Sequence, residues 1–193
     1  MTRHGEARAL LIEHAVNLLE EVGVGEFTGR EVARRAGVSH GAPRRHFSSR
    51  AALLSAVAAQ GFTDLRARMR TAQRRPQTTA DPVKAREELC ALANEYVSFA
   101  QEHPAMFELM FRHDLLEDSG EQLRHHSLAL FTLASDCVAQ IGPAEPAEVT
   151  TDLWAGIHGL AVLASRRALE PITTDRPEVL VVRQVNAHTR PRL

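Results

Sequence analysis

Between residues 30 and 50 the chain carries Arg30, Arg34, Arg35, Arg44, Arg45 and Arg50. Arginine keeps its charge at any physiological pH, and its planar fork of donors matches a phosphate or the O6/N7 edge of guanine. Thr28, Ser39, His40 and His46 add hydroxyl and imidazole groups to the same stretch. Gly41 and Ala42 add almost no bulk, so a backbone bearing them can approach a base edge, and Ala42 can meet a thymine methyl. The chemistry in this pattern is recognition of anions and base edges. Taken one at a time these arginines describe an ordinary solvated face; their placement around Gly37 is what that description leaves unexplained.

The elements that must hold them are written in the same residues. Thr28 can cap a first helix, and Glu31 three residues later completes a capping box. Val32, Ala33 and Ala36 give that helix a small apolar face, with Arg30, Arg34 and Arg35 mostly off it. Gly37 permits the left-handed backbone of a sharp exit, and Ser39 is placed to cap a second helix running through His40 to Phe47. Pro43 then forfeits only the first hydrogen bond of that helix, and Phe47 reads as core. Arg44 and Arg45 project about 100° apart, so they serve different strands or edges; His46 and Arg50 suit phosphate. A helix, a glycine turn and a second polar helix form a helix-turn-helix, whose second helix enters the major groove of DNA. The candidate DNA contacts are therefore Thr28, Arg30, Ser39, His40, Gly41, Ala42, Arg44, Arg45, His46 and Arg50.

Charge distribution points the same way. The net charge of −1 over 193 residues suggests no polyanionic partner. Residues 1–75, however, hold 13 Arg against 7 acidic residues, for +6, and the remainder holds 10 basic against 17 acidic residues, for −7. A basic head on an acidic body is the asymmetry expected when only the head meets phosphates.

Composition bounds the rest. Aromatic residues make up 5% of a chain whose apolar set is mostly alanine and leucine, which suits helices packed on helices. Apolar residues at helical spacing mark helices over 5–23 (closed by Gly23), 48–73, 83–102, 121–140 and 147–169. Pro104 opens a short helix, PAMFELMFR, and a last helix runs over about 175–186, although VLVV at 179–182 has the look of a strand. Turns are expected at 74–82, at Asp118-Ser119-Gly120, at 141–146 and at Pro171, and the tail should fray. No apolar run approaches the roughly 20 residues of a membrane span, and no secretory signal opens the chain. Cys90 and Cys137 have no metal-ligand spacing and read as reduced thiols of a cytoplasmic protein. No metal and no cofactor are expected.

The segments Phe27-Thr28, REVARRAGVS (30–39), GAPRRHF (41–47) and SSRAALLSAV (48–57) together resemble the TetR-type transcriptional repressors. Arg44 stands where that family usually has an aromatic residue. The resemblance implies an all-α fold, in which a helix over 5–23 braces a helix-turn-helix domain (1–50). A long helix then joins it to a helical ligand-binding and dimerisation domain (51–193). HPAMFELMF (103–111) and WAGIHGLAVL (154–163) further resemble the Trp-His-Gly type of TetR C-terminal domain, with Trp154 and His158 one turn apart. Gly156 and Gly159 suit a close helix contact. The resemblance also implies a homodimer on a pseudo-palindromic double-stranded operator, released by a small-molecule inducer. Candidate pocket residues are Tyr96, Met106, Phe107, Met110, Phe111, Phe131, Trp154 and His158. Competing readings are control by a protein partner, or an enzyme built on His113 with Asp114 or on His125 with His126. No phosphate loop, nucleophile elbow or zinc-protease pattern accompanies those histidines, so no enzymatic activity is expected.

Overall fold

The computed structural model describes residues 3–73, 81–116 and 119–189; the turn expected over 74–80, the break at Asp118 and the fraying tail past 189 lie outside the described residues. Among the described residues every regular element is helical. The helices are α1 (Arg3–Glu26), α2 (Gly29–Arg35), α3 (Ala42–His46), α4 (Arg50–Ala72), α5 (Pro82–Glu102), α6 (Pro104–Met110), α7 (His113–Leu116), α8 (Leu123–Ile141), α9 (Pro146–Ser165) and α10 (Pro177–Thr189). The VLVV run lies inside α10, where Val181 is buried and Val179 and Val182 face outward, a helical pattern of burial. The fold is all-α, as the sequence implies. Two compact units divide the chain, each discontinuous in sequence: Met1–Thr63 with His103–His126, and Asp64–Glu102 with Ser127–Leu193.

In the first unit, Leu11, Ala15, Leu18 and Leu19 of α1 are at most 1% exposed, one turn after another along a single stripe. The helix breaks at Gly23 (φ 69°), as the sequence expects, and a short extension reaches Glu26. α1 packs on α2 and α6, and α2 on α3. α6 begins with Pro104, which has no N–H, and the amides of Ala105 and Met106 donate to the Glu20 carboxylate of α1 at 3.3 and 3.1 Å. An acid on one helix thereby satisfies two orphan donors of another. α6 also lies tight against α4 at Gly61: a Cβ there would sit 2.6 Å from Met106 Sδ. Phe62, buried on the same stretch of α4, meets Phe111 edge-on at 5.5 Å.

In the second unit, α5, α9 and α10 pack on one another. Leu89, Leu92, Tyr96 and Phe99 form the buried face of α5. Arg86 donates to the hydroxyl and carbonyl oxygens of Thr189, a cation at the C-terminus of α10 where the helix dipole favours one. Arg68 donates to Glu95 and Glu102 and lies over the Phe99 ring.

Three features differ from the sequence expectation. α9 stops at Ser165 rather than 169, because Arg167 adopts φ 55° and the amide of Ala168 returns to Leu163 O at 2.9 Å. That is a left-handed helix stop with no glycine to announce it. The four-residue α7 has no counterpart in the spacing of apolar residues. Leu128, an apolar residue of the helix expected over 121–140, is 58% exposed.

Candidate nucleic-acid interface

Local chemistry builds the reading head from its first cap. Thr28 is extended, and its hydroxyl accepts from the Glu31 amide at 3.3 Å. The other half of the expected capping box is replaced: the Glu31 carboxylate accepts from Arg34 (2.8 and 2.7 Å) and from Arg35 (2.9 Å). These guanidiniums, Arg34 first, pull the Glu31 carboxyl down to about 2, and Glu21 of α1 holds Arg35 from the other side at 2.7 Å. α2 ends as the sequence requires. Gly37 takes φ +65°, the Gly37 amide donates to Arg34 O, and the Val38 amide reaches back to Ala33 O at 3.0 Å. This paired closure puts its central residue in the left-handed region, where a residue without a Cβ is least strained.

The recognition helix begins later than its sequence cap. Regular α3 starts at Ala42, preceded by a turn in which the Ala42 amide donates to Ser39 O at 2.8 Å. Pro43 explains the shift. It has no N–H to give the Ser39 carbonyl, so the three-residue bond from Ala42 takes that acceptor and the turn tightens. No side-chain hydrogen bond caps α3. Pro43 and Phe47 are buried, and these two inward residues fix the helix while its other side stays open. Thr28, Arg30, Ser39, His40, Gly41, Arg44, Arg45 and Arg50 are all exposed, and Ala42 and His46 are half-buried.

The arginines divide by partner. Arg34 and Arg35 are tied into the carboxylate network. Arg50 donates to Phe27 O at 3.0 Å and to Val24 O, so it joins the start of α4 to the end of α1. Among the described residues no carboxylate pairs with Arg30, Arg44 or Arg45. Gly29, Arg30, His40, Arg44, Ser48 and Arg50 border an open basin of about 830 Å³. Ser49, which sequence reasoning missed, accepts from the Ala52 amide at 3.0 Å and caps α4; its signal was a serine directly before the helical run. Arg8 of α1 was also missed. Its guanidinium lies 5.3 Å from the Phe47 ring centroid, and a contact between residues so far apart in sequence leaves no local pattern.

The expected pocket residues fall into two groups. Met106, Phe107, Met110 and Phe111 belong to the first unit, where the first three are buried against neighbouring helices and Phe107 and Phe111 stand 5.1 Å apart. Tyr96, Phe131, Trp154 and His158 belong to the second. There Trp154 meets Tyr96 at 5.2 Å and Phe131 at 5.9 Å, and the Tyr96 hydroxyl is 2.8 Å from His158 Nδ1. Burial pushes the Tyr96 phenol up and the His158 imidazole down, so both are held neutral. Of the residues in the enzyme reading, Asp114 is taken by Arg112 at 2.9 Å, and the His126 ring stacks on Phe62.

A capped helix, a left-handed glycine turn and a short helix with unpaired arginines define a helix-turn-helix protein of DNA recognition. Comparison with known proteins places it more closely. Residues 11–57 match the family described as bacterial regulatory proteins, tetR family, and residues 89–188 match the tetracyclin repressor-like C-terminal domain. A protein of unknown function from Rhodococcus sp. RHA1 is similar at 30% identity, with 95% of this chain and 93% of that one covered and a TM-score of 0.78. A transcriptional regulator from the same organism shares 23% identity over 93% and 94% of the two chains (TM-score 0.71). A TetR regulator from Streptomyces coelicolor shares 18% identity over 97% and 95% (TM-score 0.68). No curated protein sequence matches the chain. The chain belongs to the TetR family of DNA-binding transcriptional regulators. Among the described residues, no helix is long and apolar enough to cross a membrane.

Proposed function

We propose that the protein is a homodimeric, cytoplasmic repressor that binds a pseudo-palindromic operator through residues 28–50 and leaves it when a small molecule binds the C-terminal helices. The observation that carries the reading is the trio Arg30, Arg44 and Arg45, exposed and without an acidic partner among the described residues, on two helices of a turn fixed by Gly37. Elsewhere in the turn, Glu31 and Glu21 together neutralise Arg34 and Arg35. The cations left over are the ones a duplex can claim. Ser39, His40, Gly41 and Ala42 approach base edges; Thr28, His46 and Arg50 lie along the flanking backbone.

Two such heads about 34–36 Å apart read successive major grooves, which requires a dimer. Leu163, Val179 and Val182 on α9 and α10 are 42%, 39% and 42% exposed, and Gly159 has open space beside it. We assign this face to the subunit contact. Tyr96, Phe131, Trp154 and His158 supply an aromatic lining with one imidazole for an inducer. Induction requires that the ligand prefer the conformation whose heads are misplaced for DNA.

The test is footprinting of genomic fragments with the purified protein, then titration of the recovered site against random duplex. Arg44→Ala and Arg45→Ala are each expected to weaken operator binding by about 1–3 kcal/mol where a base edge is lost, and to lower the salt slope by about one where a phosphate is lost. Unchanged operator affinity in both variants refutes the assigned surface. Monomer alone at micromolar concentration in gel filtration and cross-linking refutes the dimer. An inducer panel that produces no thermal stabilisation refutes ligand control.

A further inference from the structure

We infer that Arg8 is a positioning residue for the recognition helix, held over Phe47 by Glu121, so that the segment preceding α8 sets how firmly the end of α3 is fixed. The inference rests on the DNA-reading role proposed above.

Phe47 terminates α3: its amide donates to Pro43 O at 2.8 Å, and its ring is 6% exposed. The Arg8 guanidinium covers that ring at 5.3 Å from the centroid, a cation–π arrangement. Rotamer entropy works against a long arginine staying over one ring, a cost offset by a second hold. Glu121 provides it, with Arg8 Nη2 donating to Glu121 Oε1 at 2.9 Å. Glu121 is itself fixed from behind, because its amide donates to the hydroxyl of Ser55, a fully buried residue of α4. A continuous set of contacts therefore runs from α4 through Glu121 and Arg8 to the residue that caps the recognition helix, all inside the first unit. A second tie joins the same two chain segments, since Glu20 of α1 accepts the first amides of α6. Glu20 and Arg8 thus fasten the helix that braces the reading head to Ala105, Met106 and Glu121.

Electrostatics makes the inference testable by its sign. Glu121 adds a negative charge to the unit that must approach phosphates, so simple Coulomb behaviour predicts that Glu121→Gln tightens all DNA binding. A positioning role predicts the opposite for the operator alone. The full-length protein, Glu121→Gln, Arg8→Ala and the double variant are titrated with the footprinted operator and with random duplex. Expected is a roughly fivefold fall in the operator-to-random ratio for Glu121→Gln, with no such fall when the same change is made in the Arg8→Ala background. Parallel tightening on both duplexes, or an equal fall in both backgrounds, overturns the inference.

Hydrogen exchange of the DNA-free protein gives an independent readout. Glu121→Gln should speed exchange of the Phe47 amide while the amides of α9 keep their rates. An unchanged Phe47 rate overturns the positioning role whatever the DNA data show. A faster rate in a protein with no operator preference would sustain the positioning role and refute the function it serves.

Discussion

Gly61→Ala adds one methyl group where α4 and α6 touch, and its effect can be worked out from the distances. The new Cβ would stand 2.6 Å from Met106 Sδ, 2.7 Å from Met106 Cγ and 2.9 Å from Met110 Sδ. Both methionines are buried, at 3% and 0% exposure, so neither thioether has solvent to swing into. Alanine in a helix interior gains about 0.5–1 kcal/mol over glycine. Overpacking a closed core costs about 1–3 kcal/mol, and two side chains must move here. The expected net loss is about 1–2 kcal/mol, or roughly 3–6 °C in Tm for a chain of this size. Urea unfolding and calorimetry at fixed protein concentration measure it, the concentration being held because a dimer's midpoint depends on it. Met106→Ala alone should cost about 2–5 kcal/mol through the cavity it leaves. In the double variant the added methyl partly fills that cavity, so the loss should fall short of the sum of the single variants by about 1 kcal/mol. A Gly61→Ala protein as stable as the wild type, or strict additivity in the double variant, refutes the close packing of α6 on α4.

Three further outcomes are expected. Gly37→Ala forces a Cβ into φ +65°, and urea unfolding should record a loss of about 1–2 kcal/mol; no loss would mean that the turn does not need its left-handed residue. Arg167→Gly relieves the corresponding strain at φ 55°, while its ion pair with Glu170, 81% and 62% exposed, contributes little. A gain of about 0.5–1 kcal/mol is expected in the same assay, and destabilisation would contradict it. Burial holds the His158 imidazole below its ordinary pKa, so on acidification the unfolded chain takes up that proton first. The stability contributed by neutral His158 is complete above about pH 6.5 and is lost as pH falls through the folded value. Unfolding followed between about pH 7.5 and pH 5 should show a shallower decline in His158→Gln than in the wild type, and identical declines would refute the assignment.

The parts of the fold legible in sequence are those where one residue type serves one local geometry. Thr28 as a cap, Gly37 as a left-handed stop and the α1 stripe from Leu11 to Leu19 act within a turn or two of themselves, and they stand where the sequence puts them. Glu31 shows the limit. Its position suits a capping box, but Arg34 and Arg35 compete for the same carboxylate, and a charge-assisted pair prevails over a single exposed amide. Ser39 likewise has the right chemistry for a cap, yet Pro43 withholds the hydrogen bond that would start a regular helix there. The end of α9 could not be read because an arginine occupies a backbone conformation that glycine ordinarily signals. Spacing along the chain also offers no means of separating Met106, Phe107, Met110 and Phe111 from Tyr96, Phe131, Trp154 and His158. That division depends on how the chain returns on itself, as does the contact of Arg8 with Glu121.

Glu20 and Arg8 bear on how regulators of this build can be recombined. A hybrid designed from chain order alone would be cut just after residue 50, the domain boundary expected from the sequence. A graft made there would import foreign side chains opposite the amides of Ala105 and Met106, and would strip Glu121 of its counterion. A hybrid that respects space instead of chain order would carry residues 103–126 along with the head, as one transplant in two pieces.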